Sequence, residues 1–197
     1  MFEIFDIHMP LIEKNFLKEL YSSTNNKCIL EFGSGGSTLL GLLNGKVIIS
    51  IETDRDYQRK IMEIVLFNQL KGHLIPILAD LGKTKKWGYP IERSKYKNYS
   101  KQLNNVFKLI KELNLKIDLV LIDGRFRVTT LLKCLIELEP PFQIIFDDYI
   151  NRKHYHIVDN FLKPELYKGR MGVFKVDRNI RNKAIKKSLE NYTFDPR

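Results

Sequence analysis

Five short apolar runs, each carrying or followed by an acidic residue, set the tightest limit on what this chain can fold into. They occupy residues 28–32, 47–51, 74–79, 117–122 and 143–146. None alternates apolar with polar residues, as a strand with one wet face would. Continuous runs of this kind are buried on both faces, the condition of strands in a parallel sheet. Segments of helical period separate them. They lie at 11–21 (Leu11, Ile12, Phe16, Leu17 and Leu20 as the apolar stripe), 39–43, 56–70 (Ile61, Ile64, Val65 and Leu70 inward), 101–113 and 129–138. A helix at 153–162, a strand at 171–176 and a basic helix at 179–189 follow. The alternation predicts an α/β fold: one doubly wound, mostly parallel sheet in a three-layer αβα arrangement.

With 197 residues, 44% of them hydrophobic and 28% charged, the chain suits one folded domain and argues against wholesale disorder. We read 1–197 as a single domain, with a helical lead-in at 1–26, a basic loop or lid at 82–100 and a basic C-terminal segment at 151–197. No apolar run approaches the roughly 20 residues needed to cross a membrane. The start, MFEIFDIHMP, lacks a basic region followed by an apolar stretch. Cys28 and Cys134 lie in apolar segments and read as buried free thiols. Together these features give the expectation of a cytoplasmic protein. Oligomeric state is not legible.

The net charge of +10 is unevenly placed. Residues 151–197 carry +7 and residues 82–101 carry +6, on a body that sums to −3. Such zones favour an anionic partner, either a nucleic acid or a phosphorylated or otherwise anionic small molecule. A solvated lysine surface is the plain alternative.

In doubly wound sheets, ligands bind beyond the carboxyl ends of the strands, where the strand order reverses. Here each strand delivers acids to that edge: Glu31, then Glu52 and Asp54, Asp80, Asp123, and Asp147 with Asp148. Like charges crowded on one rim are unfavourable, so a cationic or hydrogen-bond-donating ligand is expected to compensate them. Within 33–38, Gly33, Gly35 and Gly36 permit a tight turn and a close ligand approach, and the following helix start supplies free N–H groups. Glu52 lies 19 residues beyond Gly33, as a ribose-binding acid should. Glu31, two residues before the glycine, would repel a pyrophosphate and favour a ligand bearing positive charge.

On these residues the chain resembles the class I S-adenosylmethionine-dependent methyltransferases. Leu30-Glu31-Phe32-Gly33-Ser34-Gly35-Gly36-Ser37 is similar to their first motif, an acid followed by G-x-G-x-G, with Ser37 in place of the third glycine. Ile51-Glu52 resembles the second motif, whose acid holds the ribose hydroxyls, and Ala79-Asp80 the position that contacts adenine. The resemblance covers about residues 27–150. It implies that Glu31, Gly33, Ser34, Gly35, Gly36, Ser37, Glu52 and Asp80 bind S-adenosyl-L-methionine.

A narrower resemblance concerns Asp123, Asp147 and Asp148. Metal-dependent O-methyltransferases place one acid after the fourth strand and an acidic pair after the fifth, and there these residues hold magnesium. The resemblance implies Mg2+ on Asp123, Asp147 and Asp148, lowering the pKa of an acceptor hydroxyl. The other reading is that Asp147 and Asp148 cap the next helix or pair with Arg125 and Arg127. Arg125 is also a clamp for an anionic acceptor group, and with the three aspartates completes the expected catalytic set. Trp87 and Tyr89 read either as a lid that stacks on the acceptor or, for Trp87, as a core plug. His154 and His156 read as a general base or as surface residues. The expected activity is methylation of oxygen on a small polar or anionic acceptor such as a sugar conjugate. The alternatives are an RNA methyltransferase, or a degenerate module that binds cofactor or partner without turnover.

Overall fold

In the computed structural model, residues 7–197 are described. The first six residues of the expected lead-in lie outside this range. Helix α1 (Leu11–Ser22) leads into β1 (Cys28–Phe32), α2 (Gly36–Leu43), β2 (Val47–Glu52), α3 (Arg55–Asn68) and β3 (His73–Leu78). A small antiparallel ribbon, β4 (Thr84–Lys85) with β5 (Tyr89–Pro90), comes next. Then follow α4 (Tyr96–Glu112), β6 (Leu119–Ile122), α5 (Arg127–Glu137), β7 (Phe142–Phe146), β8 (Leu166–Lys168), β9 (Met171–Val176) and α6 (Lys183–Tyr192).

The main sheet has the order β3-β2-β1-β6-β7-β9-β8. β3, β2, β1, β6 and β7 run parallel, while β9 runs antiparallel to β7 and β8 antiparallel to β9. The doubly wound, mostly parallel fold expected from the sequence is present. Strand alternation sorts the core into two layers. Leu30, Phe32, Ile49, Ile51, Val120 and Ile122 face α4, α5 and α6. Ile29, Ile48, Leu119, Leu121 and Ile145 face α1 and α2.

Several expectations change in detail. β3 is an edge strand and only half-buried, which is why it tolerates Pro76. In α1 the buried positions are Glu13, Leu17 and Tyr21, while Leu11 and Ile12 are 70% and 62% exposed. The apolar letters therefore marked the inner face only in part: Leu17 is buried and Phe16 and Leu20 pack against the core, while the stripe turns outward at Leu11 and Ile12. Of the four residues expected inward on α3, Ile61 alone is fully buried. The 82–100 segment is not an irregular loop; it holds the ribbon and the first turn of α4. The 153–162 helix is a 3-10 helix at Lys153–Asn160. The basic helix starts at Lys183, where Asn182 caps it by accepting the Ile185 amide at 2.9 Å, and it docks on the core through Ile185. Cys28 and Cys134 are buried free thiols. No helix among the described residues is long and apolar enough to cross a membrane.

Candidate functional site

The strand order reverses between β1 and β6, so their carboxyl ends flank the switch point. Gly33 follows β1 with φ +101°, and Gly124 lies two residues after β6. A Cβ on Gly33 would sit 2.9 Å from the Gly124 nitrogen, and one on Gly124 would sit 3.0 Å from the Phe32 carbonyl. The two backbones touch, and only glycine fits on either side.

Glu31 lies under the loop rather than beside it. It shares a strand face with Ile29 and is completely buried. Ser50, its partner in the β1–β2 register, donates to it at 2.9 Å, and Ser37 and Thr38 at the start of α2 also donate to it. Thr38 Oγ1 in turn accepts the Gly35 amide at 2.9 Å, and Ser34 Oγ lies 2.8 Å from Ser50 Oγ. Burial pushes the Glu31 carboxyl up to about 7; the three hydroxyls pull it down, and Glu52 adds to the rise. The expected cofactor ligand Glu31 thus spends its described hydrogen bonds on the start of α2 and on β2.

Glu52 closes β2 with its carboxylate turned to the same loop. Its Oε2 accepts the Ser34 amide at 3.1 Å, and its Oε1 accepts the amides of Thr53 at 2.6 Å and Asp54 at 2.9 Å. Burial raises its pKa, and these backbone donors oppose the rise. Asp80, after β3, accepts the Gly82 amide at 2.9 Å and pairs with Arg55. The Gly82 amide first, then Arg55, hold its carboxyl low.

Beyond β6 and β7 the expected metal acids are gathered, but guanidinium groups fill the space between them. Buried Arg127 donates to Asp123 Oδ1 at 3.0 Å and lies 3.3 Å from Asp148 Oδ2. Arg152 reaches Asp148 at 2.7 Å, and Arg170 reaches Asp148 at 3.2 Å and Asp147 at 3.5 Å. Asp148 takes a left-handed conformation, φ +59°, which an aspartate tolerates. Among the described residues no cluster of His, Cys, Asp or Glu is built to hold a metal ion. Three arginines already neutralise these aspartates, so they do not fit a magnesium site, and the Mg2+ expectation is corrected. The expected charge compensation by a ligand is corrected with it, since Arg55, Arg127, Arg152, Arg170 and the serine and threonine hydroxyls supply most of it.

The ribbon crosses the mouth of this crevice. Thr53 Oγ1 donates to the Gly88 carbonyl at 2.9 Å, Thr84 Oγ1 to Asp54 Oδ2 at 2.7 Å, and Arg125 Nε to the Trp87 carbonyl at 2.8 Å. The Arg125 guanidinium also lies over the Tyr89 ring. Trp87 is no core plug: it is 59% exposed and lies against His8 with ring centroids 5.0 Å apart. The cavity left beneath, lined by Gly33, Ile51, Glu52, Thr53, Tyr99, Gly124 and Arg125, measures about 10 Å³. His154 and His156 do not line it; His156 lies on Tyr149, with Nε2 2.9 Å from that residue's carbonyl oxygen.

A crystal structure of a methyltransferase-like protein from Silicibacter pomeroyi matches 97% of this chain and 98% of its own, with a TM-score of 0.88 at 30% sequence identity. The chain belongs to the S-adenosylmethionine-dependent methyltransferases. It is accordingly an enzyme of methyl transfer. The O-methyltransferase TomG from Streptomyces achromogenes, involved in tomaymycin synthesis and solved with S-adenosylmethionine, matches 88% of this chain and 82% of its own with a TM-score of 0.58 at 10% identity. A methyltransferase from Geobacter sulfurreducens matches 85% and 80% with a TM-score of 0.54 at 12% identity. These two share the fold. No family model and no curated protein matches the chain.

Within this methyltransferase, sequence reasoning missed Ser50, Thr38, Thr53, Tyr99 and Arg170. Strand register was the available signal for Ser50, which sits opposite Glu31. Arg170 had no local signal. It reaches Asp147 because β9 returns antiparallel beside β7.

Proposed function

We propose that this methyltransferase binds S-adenosylmethionine at the 33–37 loop, Glu52 and Asp80, and methylates an oxygen of a small polar or anionic acceptor. The observation that carries the reading is the crevice at the switch point, where two facing glycines leave bare backbone next to a carboxylate at the tip of β2. That donor set suits a ligand with ribose hydroxyls and no phosphate: backbone for close approach, and a carboxylate to accept hydroxyl protons. Gly35 and Gly36 keep the start of α2 bare, and Ser34 and Ser37 brace the loop. When bound, S-adenosylmethionine supplies a methyl group on a sulfonium, ready for in-line displacement.

The chain's remaining task is to orient the acceptor and to manage one proton and one negative charge. In this reading the ionised form of Asp123, whose pKa burial first and then Asp147 and Asp148 raise to about 8 against the pull of Arg127, accepts the hydroxyl proton as the acceptor oxygen attacks; a third of its side-chain surface is open. Arg127 keeps that carboxylate in place, and the guanidinium of Arg125 pairs with the acceptor's anionic group. Asp147 and Asp148 act indirectly, by fixing Arg127.

Calorimetry with S-adenosylhomocysteine tests the reading. Micromolar binding that Glu52→Ala weakens at least tenfold supports it, and absence of binding at millimolar ligand overturns it. The exposed lysines of α6, Lys183, Lys186 and Lys187, favour RNA as a second acceptor class. That reading requires RNA affinity that falls steeply with salt.

A further inference from the structure

We propose that the 84–90 ribbon is a gate over the cofactor crevice, held shut by three latches and displaced when the cofactor enters. The inference rests on the cofactor reading above and adds to it a conformational step.

The first ground is space. The crevice beneath the ribbon has about 10 Å³, room for one water molecule. Small-molecule sites run to hundreds of cubic ångströms. The second ground is what fills it. The Gly88 carbonyl accepts from Thr53 at 2.9 Å, and even a Cβ on Gly88 would lie 3.2 Å from Glu52 Oε1, so the ribbon's backbone stands within one methyl group of the carboxylate assigned to the ribose. That gap leaves no room for a ribose between Gly88 and Glu52.

The third ground is how the ribbon is attached. Its base is anchored by Tyr96 Oη, which donates to the Pro90 carbonyl at 3.2 Å, and its hold on the crevice runs through the latches Thr53 to Gly88, Thr84 to Asp54 and Arg125 to Trp87, which span both walls, the tip of β2 and the loop after β6. Its body is a two-residue pairing, and its crown, Lys85, Lys86 and Trp87, is exposed. Gly82 at φ +78° and Gly88 at φ +65° occupy the left-handed region, giving turning points on either side of that crown. The crown buries little apolar surface, so it swings out at small cost while buried Pro90 stays anchored. Opening it also frees Arg125, so cofactor entry and exposure of the acceptor clamp become one event.

Trp87 is the only tryptophan of the chain, so its fluorescence reports the ribbon alone. The experiment titrates the full chain with S-adenosylhomocysteine, following heat by calorimetry, Trp87 emission, and tryptic cleavage at Lys85 and Lys86. The gate predicts that emission and cleavage both change along the binding isotherm. It also predicts that Thr84→Val, which removes one latch outside the crevice, tightens binding about threefold to tenfold, because the closed state no longer competes as strongly. Heat of binding with unchanged emission and cleavage overturns the gate and leaves the cofactor reading intact. Unchanged or weaker affinity in Thr84→Val overturns it as well. Absence of binding in both the wild type and Thr84→Val overturns gate and cofactor reading together.

Discussion

The hydroxyl of Ser37 donates to the buried carboxylate of Glu31. Serine stands there where the related first motif carries its third glycine, and the departure has a structural use. A wholly buried carboxylate needs donors, and the loop supplies two of its three from the first turn of α2. Ser37→Gly restores the motif and removes a donor. It is expected to lower stability by about 1–3 kcal/mol, read as a shift in the urea midpoint at neutral pH.

The same carboxylate gives a pH signature. Its folded pKa of about 7 stands above the ordinary 4.5. Between those values the folded chain keeps a proton that the unfolded chain has released. Its contribution is therefore fully present below pH 4.5 and is lost as pH rises to 7, by about 3 kcal/mol in all. Glu31→Gln removes this dependence. Urea denaturation of both proteins from pH 5 to 8 should show the wild type losing stability relative to the variant across that window and running parallel to it above pH 7.5.

Gly33→Ala places a methyl group 2.9 Å from the Gly124 nitrogen at a φ that disfavours side chains. A loss of about 2–4 kcal/mol is expected. Gly45 has a positive φ too, but nothing lies within 4 Å of its added Cβ. Gly45→Ala therefore carries the backbone strain without the contact, and the difference between the two thermal shifts measures the backbone contact itself.

Arg127→Met strips the central cation from three aspartates. Leaving those charges buried and less paired is expected to destabilise the fold by about 3–5 kcal/mol. Magnesium gives the second readout. The melting temperature of the wild type is expected not to move with Mg2+ or with a chelator, whereas that of the variant, with Asp123 freed and Asp147 and Asp148 left to Arg152 and Arg170, is expected to rise with Mg2+.

Much of the fold was legible because burial on both faces leaves a strong mark: the runs at 28–32, 47–51 and 171–176 became β1, β2 and β9 nearly residue for residue. β8 was not legible, since its three residues are all exposed and carry no pattern. Letters also misled where the partner decided the face. Glu13 is buried in α1 because the Arg170 amide and side chain reach it at 2.8 Å and 3.6 Å, and nothing near residue 13 announces residue 170. At the site, the glycine loop and Glu52 could be seen because the spacing lies within one βαβ unit. The arginines that occupy the metal position could be seen only in part. Arg127 and Arg152 each stand four residues from the aspartate they pair with, Asp123 and Asp148, but Arg170 arrives by chain reversal. The ribbon's course over Glu52 left no sequence trace, because hydroxyls meeting carbonyls are compatible with almost any loop.

Gly33 leans on a residue made about ninety positions later. A nascent chain emerging from the ribosome therefore shows one half of the cleft, with its glycine bend unsupported, until β6 inserts beside β1. The two walls of the cleft thus complete each other only where β6 lies beside β1, at the centre of the sheet.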